Sequence, residues 1–120
     1  MPRYCFVSRV RTDRLDEYRR RHAAVWPELL RALRDTGWRD YSIFLGDDGL
    51  LVGCVEADDL AASQAAMGAT DVNRRWQEEM ALLFADGGRP DENWRLLDEV
   101  FNLDDQLATV PRDAARDEDR

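Results

Sequence analysis

The sequence predicts an α+β domain of order β-α-β-β-α-β, and three observations carry that prediction. Short apolar runs rich in strand formers lie near both ends of the chain and flank a Gly-Asp-Asp-Gly turn in its middle. Between them lie two stretches whose apolar residues recur at three- and four-residue steps, the helical period. A length of 120 residues with 44% aliphatic and aromatic types suits one small domain with a buried core.

Residues 4–10 are apolar, free of Gly and Pro, and read as the first strand. Thr12-Asp13 offers a helix cap, after which Leu15, Tyr18, His22, Val25/Trp26, Leu29/Leu30 and Leu33 form one stripe with charged residues between them. Pro27 removes an amide donor, so this helix should kink there, or stop near Ala24 and restart with Pro27 in its first turn. Gly37 closes it. Residues 40–45 and 50–56 read as the second and third strands, joined by the turn at 46–49. Gly53 inside the third strand suggests a bulge or the close approach of another group. Asp58/Asp59 can cap a weaker helix over 60–67. Thr70 caps a stronger one over 71–84, whose stripe is Val72, Trp76, Met80 and Leu83/Phe84. Residues 94–103 read as the fourth strand. The domain is therefore expected over 1–103, with 104–120 an acidic, mobile tail.

That order is the split arrangement of ferredoxin-like folds. With helices on one face of the sheet, the other apolar face is left bare. A second copy packed against it would give a homodimer, a dimeric α+β barrel.

Composition excludes several functions. A formal charge of −8 and a pI of about 4.6 argue against nucleic acid as a partner, because phosphate binding requires a basic face. No apolar run approaches a membrane span, and the start lacks the apolar stretch of a signal peptide. Two cysteines, Cys5 and Cys54, do not make a disulfide scaffold; both are expected as buried thiols of a cytoplasmic protein. Every basic residue is Arg, so a Schiff-base lysine and a Walker-type loop are excluded. The single His, His22, excludes a metal site built on several imidazoles.

Tyr18 and His22 are four apart and share a helix face. An imidazole moves protons near neutral pH, and a phenol can donate, accept or position. The bland alternative is a semi-buried histidine bonded to a carbonyl or water, beside a core tyrosine. Tyr41 and Trp76 are each more often core than site, Trp26 and Trp38 read as packing groups, and Trp94 reads as an exposed strand-end aromatic. Four Trp and three Tyr are nevertheless many for this length. Aromatic walls around one His would suit a small neutral polyol. No Ser or Cys has the motif of a nucleophile, so spacing supports at most acid–base chemistry or simple binding. The runs Arg19–Arg21 and Arg74-Arg75 read as solvated helix faces, and one of the many carboxylates is expected to orient His22.

Taken together, these residues resemble the L-rhamnose mutarotase family over residues 4–103. The strongest stretch is Tyr18-Arg19-Arg20-Arg21-His22-Ala23-Ala24-Val25-Trp26-Pro27-Glu28-Leu29, similar to Y-x-R-R-H-x-x-x-W-P-E-L. Tyr41-Ser42-Ile43-Phe44-Leu45, Thr70-Asp71-Val72-Asn73-Arg74-Arg75-Trp76 and Glu99-Val100-Phe101-Asn102-Leu103 resemble three further family segments. The resemblance implies a dimeric ferredoxin-like barrel without metal or organic cofactor that interconverts the α and β anomers of a monosaccharide. It implies His22 as proton donor, with Tyr18, Tyr41 and Trp76 binding sugar. Gln77, at the adjoining sugar-binding position, stands where family members often carry a second Trp, which opens the assignment to another deoxy sugar such as fucose. The rival readings are a small oxygenase of the same architecture and a noncatalytic binding module.

Overall fold

The computed structural model describes residues 1–85, 90 and 93–111. Four strands, β1 (Arg3–Arg9), β2 (Arg39–Leu45), β3 (Leu50–Glu56) and β4 (Arg95–Leu97), form one antiparallel sheet of order β2-β3-β1-β4. Helices α1 (Leu15–His22), α2 (Pro27–Asp35), α3 (Leu60–Gly68) and α4 (Asp71–Met80) cover one face. This is the expected ferredoxin-like arrangement.

Strand alternation divides the residues between the faces. Phe6 and Ser8 of the first strand, Val10 just beyond its end, and Leu51, Gly53 and Val55 of the third strand turn to the helices and are buried. Val7, Phe44, Val52, Cys54 and Leu97 turn the other way, onto a face that none of the described helices covers. Gly53 does mark a close approach: a Cβ there would fall among the ring atoms of Phe6, its cross-strand partner.

Pro27 takes the first-turn position of α2, so the long stripe becomes two helices separated by residues 23–26. Gly37, at φ +100°, closes the second of them. Thr70 Oγ1 accepts from Asn73 N at 3.3 Å and Asp59 Oδ1 from Ala62 N at 3.1 Å, both expected caps.

Several expectations need correction. Thr12-Asp13 does not cap α1: Thr12–Arg14 forms a 3₁₀ turn, and the Asp13 carboxylate is held by Arg11 at 2.8 Å instead. The long helix ends at Met80 and continues as a 3₁₀ turn, Ala81–Leu83. The fourth strand is only Arg95–Leu97 rather than 94–103, because Asp98-Glu99 is a poor strand pair at a sheet edge. The segment expected as tail begins with a short helix, α5 (Leu103–Thr109), capped by Asn102 Oδ1 on Asp105 N at 3.0 Å. Residues 112–120 lie outside the described residues. The two cysteines are half-buried on the bare face, not buried in the core.

Candidate active site

A cavity of about 760 Å³ opens between the sheet and the helices, within the usual range for small-ligand sites. Tyr18, His22, Tyr41, Trp76 and Gln77 all line it, so one space gathers all five residues named from sequence. The lining is otherwise largely aromatic and aliphatic, and among the described residues it holds no Asp or Glu.

The break after α1 places His22 at the end of that helix, with its ring inside the cavity. The imidazole stacks on Tyr18 at 4.0 Å and 19°, and meets the Trp76 indole edge-on at 5.4 Å. Nδ1 lies 3.0 Å from the Tyr18 carbonyl oxygen, an acceptor, so Nδ1 carries the hydrogen and donates it. Nε2 of the neutral ring is then the lone-pair nitrogen. Burial pushes the His22 pKa below its usual 6.5, against the opposite pull of the Tyr18 carbonyl. The ring is therefore neutral near pH 7. The expected orienting carboxylate is replaced by a backbone carbonyl of the same helix.

Desolvation drives both phenols the other way. Tyr18 is raised above the ordinary phenol range by burial, and Tyr41 by burial first and by Tyr18 second. Both remain protonated at any physiological pH, as hydrogen-bonding groups. Trp76 is held by its neighbours: Trp26 packs edge-on against it at 5.0 Å, and the Arg75 guanidinium lies 5.9 Å from the Trp26 ring. Arg75 also pairs with Glu28 across α2 and α4 at 3.1 Å. Arg74 and Arg75 lie on the solvated helix face expected of them, where they pair with Asp71, Glu78 and Glu28. Among the described residues Arg34 is the one guanidinium lining the cavity, and it pairs with Asp35 at 2.9 Å.

Sequence reasoning missed one wall. Trp38 and Tyr41 are three apart and would face opposite sides of a regular strand. The β2–β3 register shifts between Arg39 and Ser42, which inserts one extra residue, and Asp40 takes a left-handed φ of 46°. That bulge turns both rings into the cavity, 5.0 Å apart. Trp38 is therefore a lining residue, and its buried Nε1 has no hydrogen-bond partner among the described residues. Such an orphan donor costs about 1–3 kcal/mol. Trp94 is likewise not an exposed aromatic: it stacks flat on Phe6 at 3.8 Å and 8°. Asn73, buried on α4, accepts from Gln77 Nε2 at 3.2 Å and brings a second amide to the wall.

A sheet covered on one side, with a single imidazole in an aromatic cavity lacking a described carboxylate, defines a ferredoxin-like α+β protein suited to proton transfer on a small neutral ligand. Comparison with known proteins agrees with that class and narrows it. The family model for L-rhamnose mutarotase matches residues 3–103. The chain is 43% identical to the L-rhamnose mutarotase of Burkholderia orbicola over 106 residues, covering 87% of this chain and 100% of that protein. It is 40% identical over 105 residues to that of Pectobacterium atrosepticum, with the same coverage. A crystal structure of an L-rhamnose mutarotase from Formosa agariphila superposes with a TM-score of 0.71 at 24% identity, over 86% of this chain and 99% of that one. An antibiotic biosynthesis monooxygenase superposes with a TM-score of 0.55 at 21% identity, over 84% and 100%. Those two superpositions speak for the fold. The chain belongs to the L-rhamnose mutarotase family, and so to enzymes that interconvert anomers, an isomerase reaction.

Proposed function

We propose that this chain interconverts the α and β anomers of an L-rhamnose-type pyranose in the cavity, with His22 as its proton carrier. The observation that carries this is the fixed tautomer: Nδ1 is committed to the Tyr18 carbonyl at 3.0 Å, which makes Nε2 the working nitrogen. Neutral Nε2 takes the proton of the anomeric hydroxyl. The imidazolium so formed donates it to the ring oxygen as the bond from that oxygen to the anomeric carbon breaks. The open aldehyde turns about one bond, and the reverse transfers close it on the other face. No bond to the protein forms, so no nucleophile is required. Raised phenol pKa values disfavour Tyr18 and Tyr41 as bases and suit them to hold sugar hydroxyls. Trp76 offers a ring face for the C–H side of the sugar, and Gln77 with Asn73 offers amides where an aromatic wall would accept no hydrogen bond.

Saturation-transfer NMR between anomeric protons, over L-rhamnose, fucose and other aldoses, tests this reading. Faster exchange on adding protein is expected for L-rhamnose. Binding without faster exchange for any sugar would leave a binding module instead.

We also read the chain as a homodimer through the bare sheet face, in the cytoplasm. Phe44 and Leu97 are 60% and 45% exposed there, beside Val7 and Val52. Such a patch is expected to be covered. In sedimentation equilibrium the chain is expected at twice its own mass, and Phe44→Glu is expected to halve that; the single-chain mass for the unaltered protein would overturn the dimer.

A further inference from the structure

On the face of the sheet away from the cavity, Cys5 of β1 and Cys54 of β3 are direct cross-strand partners, and their sulfurs stand 3.7 Å apart. The ladder fixes what kind of pair this is. Val10 N donates to Gly49 O at 2.8 Å and Ala57 N to Pro2 O at 3.0 Å. Continuing the register, every even-numbered residue of the first strand sits in a hydrogen-bonded pair, and the odd-numbered ones alternate with them. Cys5–Cys54 is therefore a non-hydrogen-bonded pair, the kind whose α-carbons approach to about 4.5 Å and whose side chains lie closest. That separation falls inside the range a disulfide spans, about 4.4–6.8 Å. Side-chain rotation alone can close the gap between the sulfurs.

We propose that Cys5 and Cys54 form an oxidant-dependent modification site, in which hydrogen peroxide converts the two thiols into a cross-strand disulfide joining β1 to β3. The step balances. One thiolate attacks a peroxide oxygen, giving a sulfenic acid and, with a proton, one water. The second thiol attacks the sulfenic sulfur, the S–S bond forms and a second water leaves. The thiols are oxidised, the peroxide is reduced, and no other reactant is required. Burial, and then the contact with Cys54, push the Cys5 thiol up, so the reaction is slow at neutral pH beside that of a peroxidatic cysteine. The pair lies on the face read above as the dimer interface, so a second copy there slows the reaction further. The link closes a loop across 49 positions and holds together the two strands that carry Phe6 and Gly53 on their other side.

The test is hydrogen peroxide treatment of the full chain, followed by intact mass, peptide mapping and thermal melting. A loss of about 2 Da, reversed by dithiothreitol, with Cys5 and Cys54 in one cross-linked peptide, is the expected result. The oxidised chain should melt roughly 10 °C higher, because the link restricts the unfolded chain. Cys54→Ser should show no such loss and gain oxygen at Cys5 instead; Cys5→Ser supplies the same control from the other side. Sulfinic acids or intermolecular links in place of a Cys5–Cys54 peptide would overturn the proposal. Because the pair faces away from His22, these readouts are independent of anomer exchange.

Discussion

The two faces of one sheet have opposite fates. Towards the helices, Phe6, Leu51 and Val55 are almost wholly removed from water, and Tyr41 and Trp38 are aimed into a cavity. On the other side, Phe44, Val52, Leu97 and the two thiols stand uncovered by any described helix. Both faces have an apolar centre, although the uncovered one also carries Arg95 and Ser42. What differs is the cover. Fully burying a residue such as Phe6 contributes about 1.5–3 kcal/mol, whereas Phe44 contributes little of this until something packs on it. The covered face can afford an imidazole because aromatic rings exclude water around it; the bare face offers area for a second chain.

The sharpest way to break this contrast is to remove the one group that makes the covered face chemical. His22→Ala should slow anomer exchange by about 10²-fold or more, the usual scale of positioned proton transfer. Circular dichroism should remain that of a folded chain, because the ring is only part-buried. Undiminished exchange in a folded variant would remove His22 from the mechanism. A smaller effect tests how tightly the covered face is packed. Gly53→Ala places a methyl among the ring atoms of Phe6, which is buried and stacked on Trp94 and so cannot yield. Overpacking of this kind costs about 1–3 kcal/mol, a fall of roughly 5–15 °C in melting temperature. Ser42→Ala, exposed on the bare face, should cost within about 0.5 kcal/mol by the same measurement.

Much of this contrast was legible in the sequence, and particular residues explain where it was not. The helical stripe from Leu15 to Leu33 and the break at Pro27 follow from period and from the missing proline amide, both local. Gathering Tyr18 and His22 on one helix face required only their spacing. Bringing Tyr41, Trp76 and Gln77 to the same cavity rested on resemblance, because no spacing links separate elements. Trp38 is buried, as a packing group should be, but that it also lines the cavity beside Tyr41 was not legible, because the bulge that turns both rings inward depends on how β2 meets β3. Asp40 next to the strand start was the available hint, since Asp tolerates a left-handed backbone better than most residues. The partner of His22 was foreseen only in kind, as a carbonyl or water beside the expected carboxylate; which carbonyl it is could not be named, because every residue has one.

The smallest expected effect follows from the same burial. His22 has a pKa below 6.5 in the folded chain and near 6.5 in the unfolded one. Between those two values the unfolded chain binds more protons, so stability rises with pH across that window and levels off above about 6.5. Falling pH reverses this: the stability is lost as the pH drops towards the folded value, where the buried ring must take a charge. Catalysis should lose its neutral Nε2 over the lower part of that range, so the acid limb of the exchange rate should fall below pH 6.5. Melting temperatures of the native chain and of His22→Asn, compared at pH 7.5 and 5.5, isolate the single histidine from the many carboxylates. The native chain should lose more than the variant on acidification. An equal loss in both would mean that the ring gains its proton as easily inside the cavity as in water, and the aromatic cover would then not be what sets its state.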